Sequence, residues 1–140
     1  MRSTLLLLAG CLAAMLCAPS LRAADVQAAQ RQSIEEAARS RAQAELGKPL
    51  RLTAVKVRQQ DGWALIHAHM QTPGGADIDY RGTAYADAAA RGQKSASYVG
   101  LLRGADRHWT VVTDSVGPTD EGWQAWRQQY HAPAILFGEP

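Results

Sequence analysis

Gly62-Trp63-Ala64-Leu65-Ile66-His67-Ala68-His69-Met70-Gln71 is the stretch that decides the fold. Ala64, Ile66, Ala68 and Met70 alternate with Trp63, Leu65, His67 and His69. Successive side chains of a strand point to opposite faces, so this segment reads as a strand with both faces in use. One face is wholly apolar. The other begins with Trp63 and Leu65 and ends in two imidazoles. Asp61-Gly62 ahead of it is a hairpin turn pair. Thr72-Pro73-Gly74-Gly75 after it is a second turn. A strand with turns at both ends and apolar residues on both faces belongs in the middle of an antiparallel sheet.

The partner strand lies upstream, over residues 50–58. Leu50 and Leu52 share one parity; Val55 and Val57 share the other. The phase changes at Thr53-Ala54, which predicts a bulge or a strand whose halves bury different faces. Before it, residues 25–46 are rich in Ala, Gln, Glu and Arg, which favour helix. Ile34, Ala38, Ala42 and Leu46 recur every fourth residue and form a narrow stripe of mostly small side chains, suited to lying close on a sheet. Gly47 and then Pro49 end that helix.

Downstream, residues 78–85 read as a third, weaker strand interrupted by Gly82. Residues 86–97 read as an exposed short helix or loop, with one helical turn at Asp87-Ala88-Ala89-Ala90-Arg91. Residues 98–103 and 108–116 are strands, joined by a turn over 104–107. Thr119 is placed to cap a short helix with Asp120 and Glu121 in its first turn. Trp123, Trp126 and Tyr130 fall on one face of that helix, and Ala134-Ile135-Leu136-Phe137 is an apolar tail expected to fold back. The predicted class is α+β: an N-terminal helix packed on a four- to five-stranded antiparallel sheet, with a short C-terminal helix.

This order resembles the cystatin-like and NTF2-like small α+β domains. The likeness rests on the Asp-Gly turn running into Gly62-Trp63-Ala64-Leu65-Ile66. It rests also on the hairpin from Tyr98 to Arg103 into His108-Trp109-Thr110-Val111-Val112. It covers residues 30–116. A single helix ahead of the sheet makes the cystatin-like arrangement the closer fit. The Gln-x-Val-x-Gly loop of inhibitory cystatins is absent, and Tyr98-Val99-Gly100 is only its shadow. The resemblance therefore implies a fold and not protease inhibition.

The first residues read as a secretory leader. Met1-Arg2 is a short positive start, the run to Ala18 is apolar, and Leu21-Arg22-Ala23-Ala24 ends in small residues. The apolar run of about 15 residues falls short of the roughly 20 needed to span a membrane, so no transmembrane anchor is expected. Cleavage after Ala23 leaves residues 24–140 as one domain. Leu8-Ala9-Gly10-Cys11 also resembles a lipobox, which would anchor the chain through lipidated Cys11. Both cysteines, Cys11 and Cys17, lie in the leader, so the mature domain has neither disulfide nor thiolate ligand. Loss of Arg2 and Arg22 takes the 15 basic residues to 13, against 13 acidic. A neutral surface without a basic run excludes nucleic acid as a partner.

His67 and His69 are the sharpest chemical feature. Two residues apart on a strand, they share a face and have the ligand chemistry for zinc or copper. Asp77, Asp79 and His108 are the nearest candidates to join them. The alternative is a pair of structural surface histidines. Asp114 with His108, His67 or His69 would make an acid–base pair if the strands neighbour. No serine sits in a nucleophile turn, and no glycine run resembles a phosphate loop. Trp63, Trp109, Trp123, Trp126 and Tyr130 are either core or the wall of a pocket or partner surface. The expectation is a non-catalytic, periplasmic or secreted domain without a cofactor, binding an envelope protein or a small ligand. A zinc or copper protein built on His67 and His69, and an inhibitor or immunity factor acting through residues 86–97, are the alternatives.

Overall fold

The element that positions everything else is helix α1, Ala18–Leu46, laid across one face of a four-stranded sheet. The structure is a computed structural model and describes residues 18–138. The leader expected over residues 1–23 and the alternative lipidation at Cys11 lie outside the described residues, except that α1 already runs from Ala18 through the expected cleavage point. The helix therefore starts earlier than the Asp25 expected from sequence. Among the described residues no helix is long and apolar enough to cross a membrane.

Helix α1 buries the predicted stripe. Ile34, Ala38 and Ala42 are fully covered and Leu46 nearly so. Its outer face is laced by Arg31–Glu35 at 2.8 Å and Arg39–Glu36 at 2.5 Å. Such exposed pairs contribute only a few tenths of a kcal/mol each; the sheet contact holds the helix. Gly47, at φ +64°, ends it.

The strands are β1 (Arg51–Gln60), β2 (Trp63–Gln71), β3 (Ser97–Ala105) and β4 (His108–Val116), in the order β1-β2-β3-β4 and antiparallel throughout. The β1–β2 turn is the Asp61-Gly62 pair, both at positive φ, closed by Gln60 opposite Trp63. The phase change in β1 is a bulge between Thr53 and Lys56, with Ala54 at φ +50°. Arg31 of α1 donates to the Val55 carbonyl at 2.7 Å, just where the bulge disturbs the ladder.

Residues 78–85 are not a strand. Only Asp77 forms a bridge, with Gln71, and the chain then curls into turns. The reason is local. Asp79 accepts hydrogen bonds from its neighbour Arg81 through both backbone N–H and guanidinium, and Thr83 donates to the Tyr80 carbonyl. Ile78 and Tyr80 are still buried against the helix side, which is what made the pattern look like a strand. Short helix α2 (Ala86–Ala90) follows, as expected.

The two faces of β2 serve two cores. Ala64, Ile66 and Met70 meet α1 together with Tyr98, Leu102 and Val116. Trp63 and Leu65 point the other way, joining Val99, Leu101, Ala132, Leu136 and Phe137 beneath the C-terminal segment. That segment is a 3-10 turn (Gly122–Ala125), helix α3 (Trp126–Gln129) and a second 3-10 turn (Ala134–Phe137). Thr119 does not cap it: Asp120 accepts from the Gly122 N–H at 3.0 Å, and no side chain caps the helix proper. The tail folds back as expected. Arg58 of β1 fastens it by donating to the Leu136 carbonyl at 3.2 Å. Arg58→Ala is expected to cost about 1 kcal/mol in denaturant unfolding, the worth of one such bond.

Candidate functional site

Three groupings of chemistry-bearing side chains stand out, on three parts of the sheet.

The first contains the histidines. His67 and His69 share the face under the C-terminal segment, as strand parity predicted. His67 is half-buried and stands edge-on to Trp123, with ring centroids 4.6 Å apart. Burial holds its pKa below the ordinary histidine value, and the charges of Arg58 and Lys56 push the same way against Glu121. His67 is therefore a neutral imidazole near pH 7. His69 Nε2 lies 2.6 Å from Asp77 Oδ1. Of the expected additional ligands, Asp77 joins His69. Asp79 is instead held by Arg81, and that pairing lowers its carboxyl to about 2. His108 pairs with Ala105 at the opposite end of the sheet. Among the described residues no three His, Cys, Asp or Glu side chains gather to hold a metal ion.

The second is a cleft of about 370 Å³ at the hairpin end of the sheet. Gln30 of α1, Gln59, Gln60 and Asp61 of the first hairpin, and the two indoles Trp63 and Trp109 line it. Gly62 and Gly104, which cross close to each other, let the two hairpins approach: a Cβ on Gly62 would sit 3.3 Å from the Gly104 carbonyl oxygen. Arg103 stacks over the Trp63 ring at 4.6 Å, and the Trp109 Nε1–H donates to the Asp106 carbonyl at 3.0 Å. Both indoles are thereby fixed. Three amides, one carboxylate and two aromatic walls make a site for hydrogen bonding and stacking. A second depression of equal volume, between α1 and Arg107, has no aromatic wall.

The aromatic set expected from sequence is thus divided. Trp109 borders the cleft, Trp123, Trp126 and Tyr130 pack against the second core, and Trp63 does both, lining the cleft while belonging to that core. Trp123 also stacks near Phe137, with centroids 6.2 Å apart.

The third grouping joins the last turn of α1 to β4. Asp114, with its side chain 5 % exposed, lies 3.5 Å from Arg41 Nε and accepts a hydrogen bond from the Tyr98 hydroxyl at 3.1 Å. Glu45 accepts from the Tyr85 hydroxyl through Oε1. Burial raises the Asp114 pKa, Glu45 raises it further, and Arg41 opposes both. The bond to Glu45 and partial burial hold the Tyr85 phenol at about 12. The pairing of Asp114 with a histidine is not formed: Asp114 faces α1, His67 faces away from it, and His108 is at the far hairpin. The misreading has a physical source. A register shift between Leu101 and Leu102 leaves Val112 without a cross-strand partner and reverses the facing of the strand beyond it. Trp109 and Val111 face α1 before the shift, Asp114 and Val116 after it.

Residues 86–97 are fastened at their second half. Tyr80 and Gly117 bond to Ser95, Ser95 donates to the Pro118 carbonyl, and Lys94 donates to Val116 while lying 4.1 Å over the Tyr85 ring. Comparison with protein-family models, with curated proteins and with solved structures gives no match.

Proposed function

We propose that this chain is a non-catalytic exported domain of the bacterial envelope, binding a small uncharged polar ligand or an equivalent group of a partner in the hairpin cleft. The observation that carries the reading is the lining of that cleft. Two fixed indoles offer apolar walls, and Gln30, Gln59 and Gln60 offer donors and acceptors without net charge. Among the described residues Asp61 is the one charged side chain lining it, which disfavours an anionic ligand. Saccharides have this chemistry: apolar ring faces for stacking and hydroxyls for amides.

The absence of catalysis is part of the proposal. Its support is the separation of Asp114, His67 and His108, which face different sides or ends of the sheet and none of which lines the cleft. Export is supported by the leader pattern of residues 1–23. The cystatin-like reading is supported by one helix crossing a four-stranded meander. The zinc or copper reading is weaker, because His67 is engaged with Trp123 and His69 with Asp77. The inhibitor reading is weaker because the loop it needs is tied to β4 and the turn beyond it.

The test is tryptophan fluorescence titration with neutral and N-acetylated oligosaccharides. Saturable binding is expected. Gln30→Ala and Gln60→Ala should each weaken it about 3- to 10-fold, the worth of one hydrogen bond, without lowering the melting temperature. Affinity unchanged in both variants, or no binding by any member of the panel, would overturn the proposal.

A further inference from the structure

We propose that Glu45 and Asp114 share one proton, and that this proton latches the last turn of α1 to β4 so that the latch loosens as pH rises. The geometry begins with an oxygen that has nothing to bond to. Glu45 Oε1 is taken by the Tyr85 hydroxyl, but Glu45 Oε2 is buried and meets no hydrogen-bond partner among the described residues. Arg41 Nε is 3.9 Å from it, beyond hydrogen-bond reach. A buried carboxylate oxygen left bare is costly. The Asp114 carboxyl shares Arg41 with Glu45 and lies where a side-chain hydrogen bond joins the two, so a proton on Asp114 supplies the missing donor. Asp114 keeps its bond from Tyr98, turns its O–H toward Glu45, and the pair then carries one negative charge facing one guanidinium.

Every charged or titratable group around the pair fits this arrangement. From α1, Arg41 lies 3.5 Å from Asp114 Oδ2, so a single cation faces two carboxyls. From β3, the Tyr98 hydroxyl donates to Asp114, and burial keeps that phenol protonated far above neutrality. From the turn before α2, Tyr85 donates to Glu45; Lys94 covers its ring, and Tyr80 stands edge-on to it with centroids 6.3 Å apart. Both phenols donate, neither accepts a proton from the pair, and the shared proton leaves only to solvent. When it leaves, two carboxylates face each other in a poorly solvated place with one arginine between them. The last turn of α1 is then repelled from β4, and the Tyr85 segment is loosened with it.

The sign follows from linkage. The native state holds the proton more tightly than the unfolded chain. The added stability is therefore complete below the ordinary Asp pKa and is lost as pH rises through the higher native value. Across that window the melting temperature should fall by about 4 °C per pH unit from this pair alone. Asp114→Asn places an amide N–H where the proton would be and keeps an acceptor for Tyr98. Its melting profile should lack this fall and lie above that of the wild type at the alkaline end. Parallel profiles for wild type and Asp114→Asn would overturn the proposal. A second readout does not depend on any variant of Asp114. The side-chain carboxyl carbon of Asp114, followed by NMR in the wild type, should titrate above the ordinary value of about 3.9, and Glu45→Gln should move that midpoint down. A midpoint at or below the ordinary value, or one indifferent to Glu45→Gln, would equally overturn it.

Discussion

Ile66→Ala is expected to remove about 2–5 kcal/mol of stability, a large share of the roughly 5–15 kcal/mol that holds a domain of this size. Ile66 is fully buried at the centre of β2 and belongs to the core between sheet and α1. Its neighbours cannot collapse onto the vacated space. Gly100 lies across the ladder on β3, and a Cβ built there would already come within 3.2 Å of Ile66 Cγ2 and 3.0 Å of the Tyr98 ring. The helix side offers Ala38 and Ala42, whose single methyl groups cannot extend into the space. The lost methyl and methylene groups therefore leave a cavity as well as a transfer penalty. Urea denaturation should show a lower midpoint with the slope unchanged. A loss below about 1 kcal/mol would mean that this core is loosely packed.

Gly117→Ala is expected to cost about 2–4 kcal/mol, from two sources that add. Gly117 has φ +64°, where an L side chain is strained by about 1–2 kcal/mol. The new Cβ would also come within 2.3 Å of the Tyr80 hydroxyl and 2.8 Å of the Ser95 carbonyl oxygen. Those two groups form a 2.6 Å hydrogen bond that the methyl would have to break. Gly92→Ala separates the terms. Gly92 has φ +72° with nothing within 4 Å of its Cβ, so that variant carries strain alone. Thermal unfolding should rank Gly117→Ala well below Gly92→Ala; equal losses would show that the Tyr80–Ser95 contact contributes nothing.

Much of the fold is legible in the sequence because hydrophobic period and turn chemistry act locally. The stripe from Ile34 to Leu46, the Asp61-Gly62 turn and the alternation of β2 each state their structure within a few residues. The phase change at Thr53-Ala54 likewise marks the place of the β1 irregularity, and the register identifies it as a bulge rather than a change of buried face. Residues 78–85 mislead because Ile78 and Tyr80 keep the burial pattern of a strand, whereas Asp79 and Thr83 bond to the local backbone and turn the chain. The bulge in β4 is hidden for the opposite reason. Thr110 to Thr113 is an unbroken β-branched run, so no residue type marks the point at Val112 where facing reverses.

The sites follow the same division. That His67 and His69 share a face is a matter of parity and is visible in sequence. That His67 rests on Trp123 depends on where a segment 56 residues later returns, which parity does not encode. The cleft unites Gln30 with two hairpin turns, and Arg41 of α1 reaches Asp114 only because α1 crosses β4 at that height. A polar residue two before the inward Val116 was the one local sign that Asp114 points into the protein.

The cleft is the central claim, and the four indole N–H signals of a two-dimensional NMR spectrum test it most directly. Trp63 and Trp109 line the cleft, whereas Trp123 and Trp126 belong to the C-terminal segment and pack against the second core, of which Trp63 is also a member. Titration with a neutral oligosaccharide should shift the Trp63 and Trp109 signals in a saturable way and leave the other two in place. Movement of Trp123 and Trp126 instead, or of none of the four, would contradict the account and return attention to the histidine face.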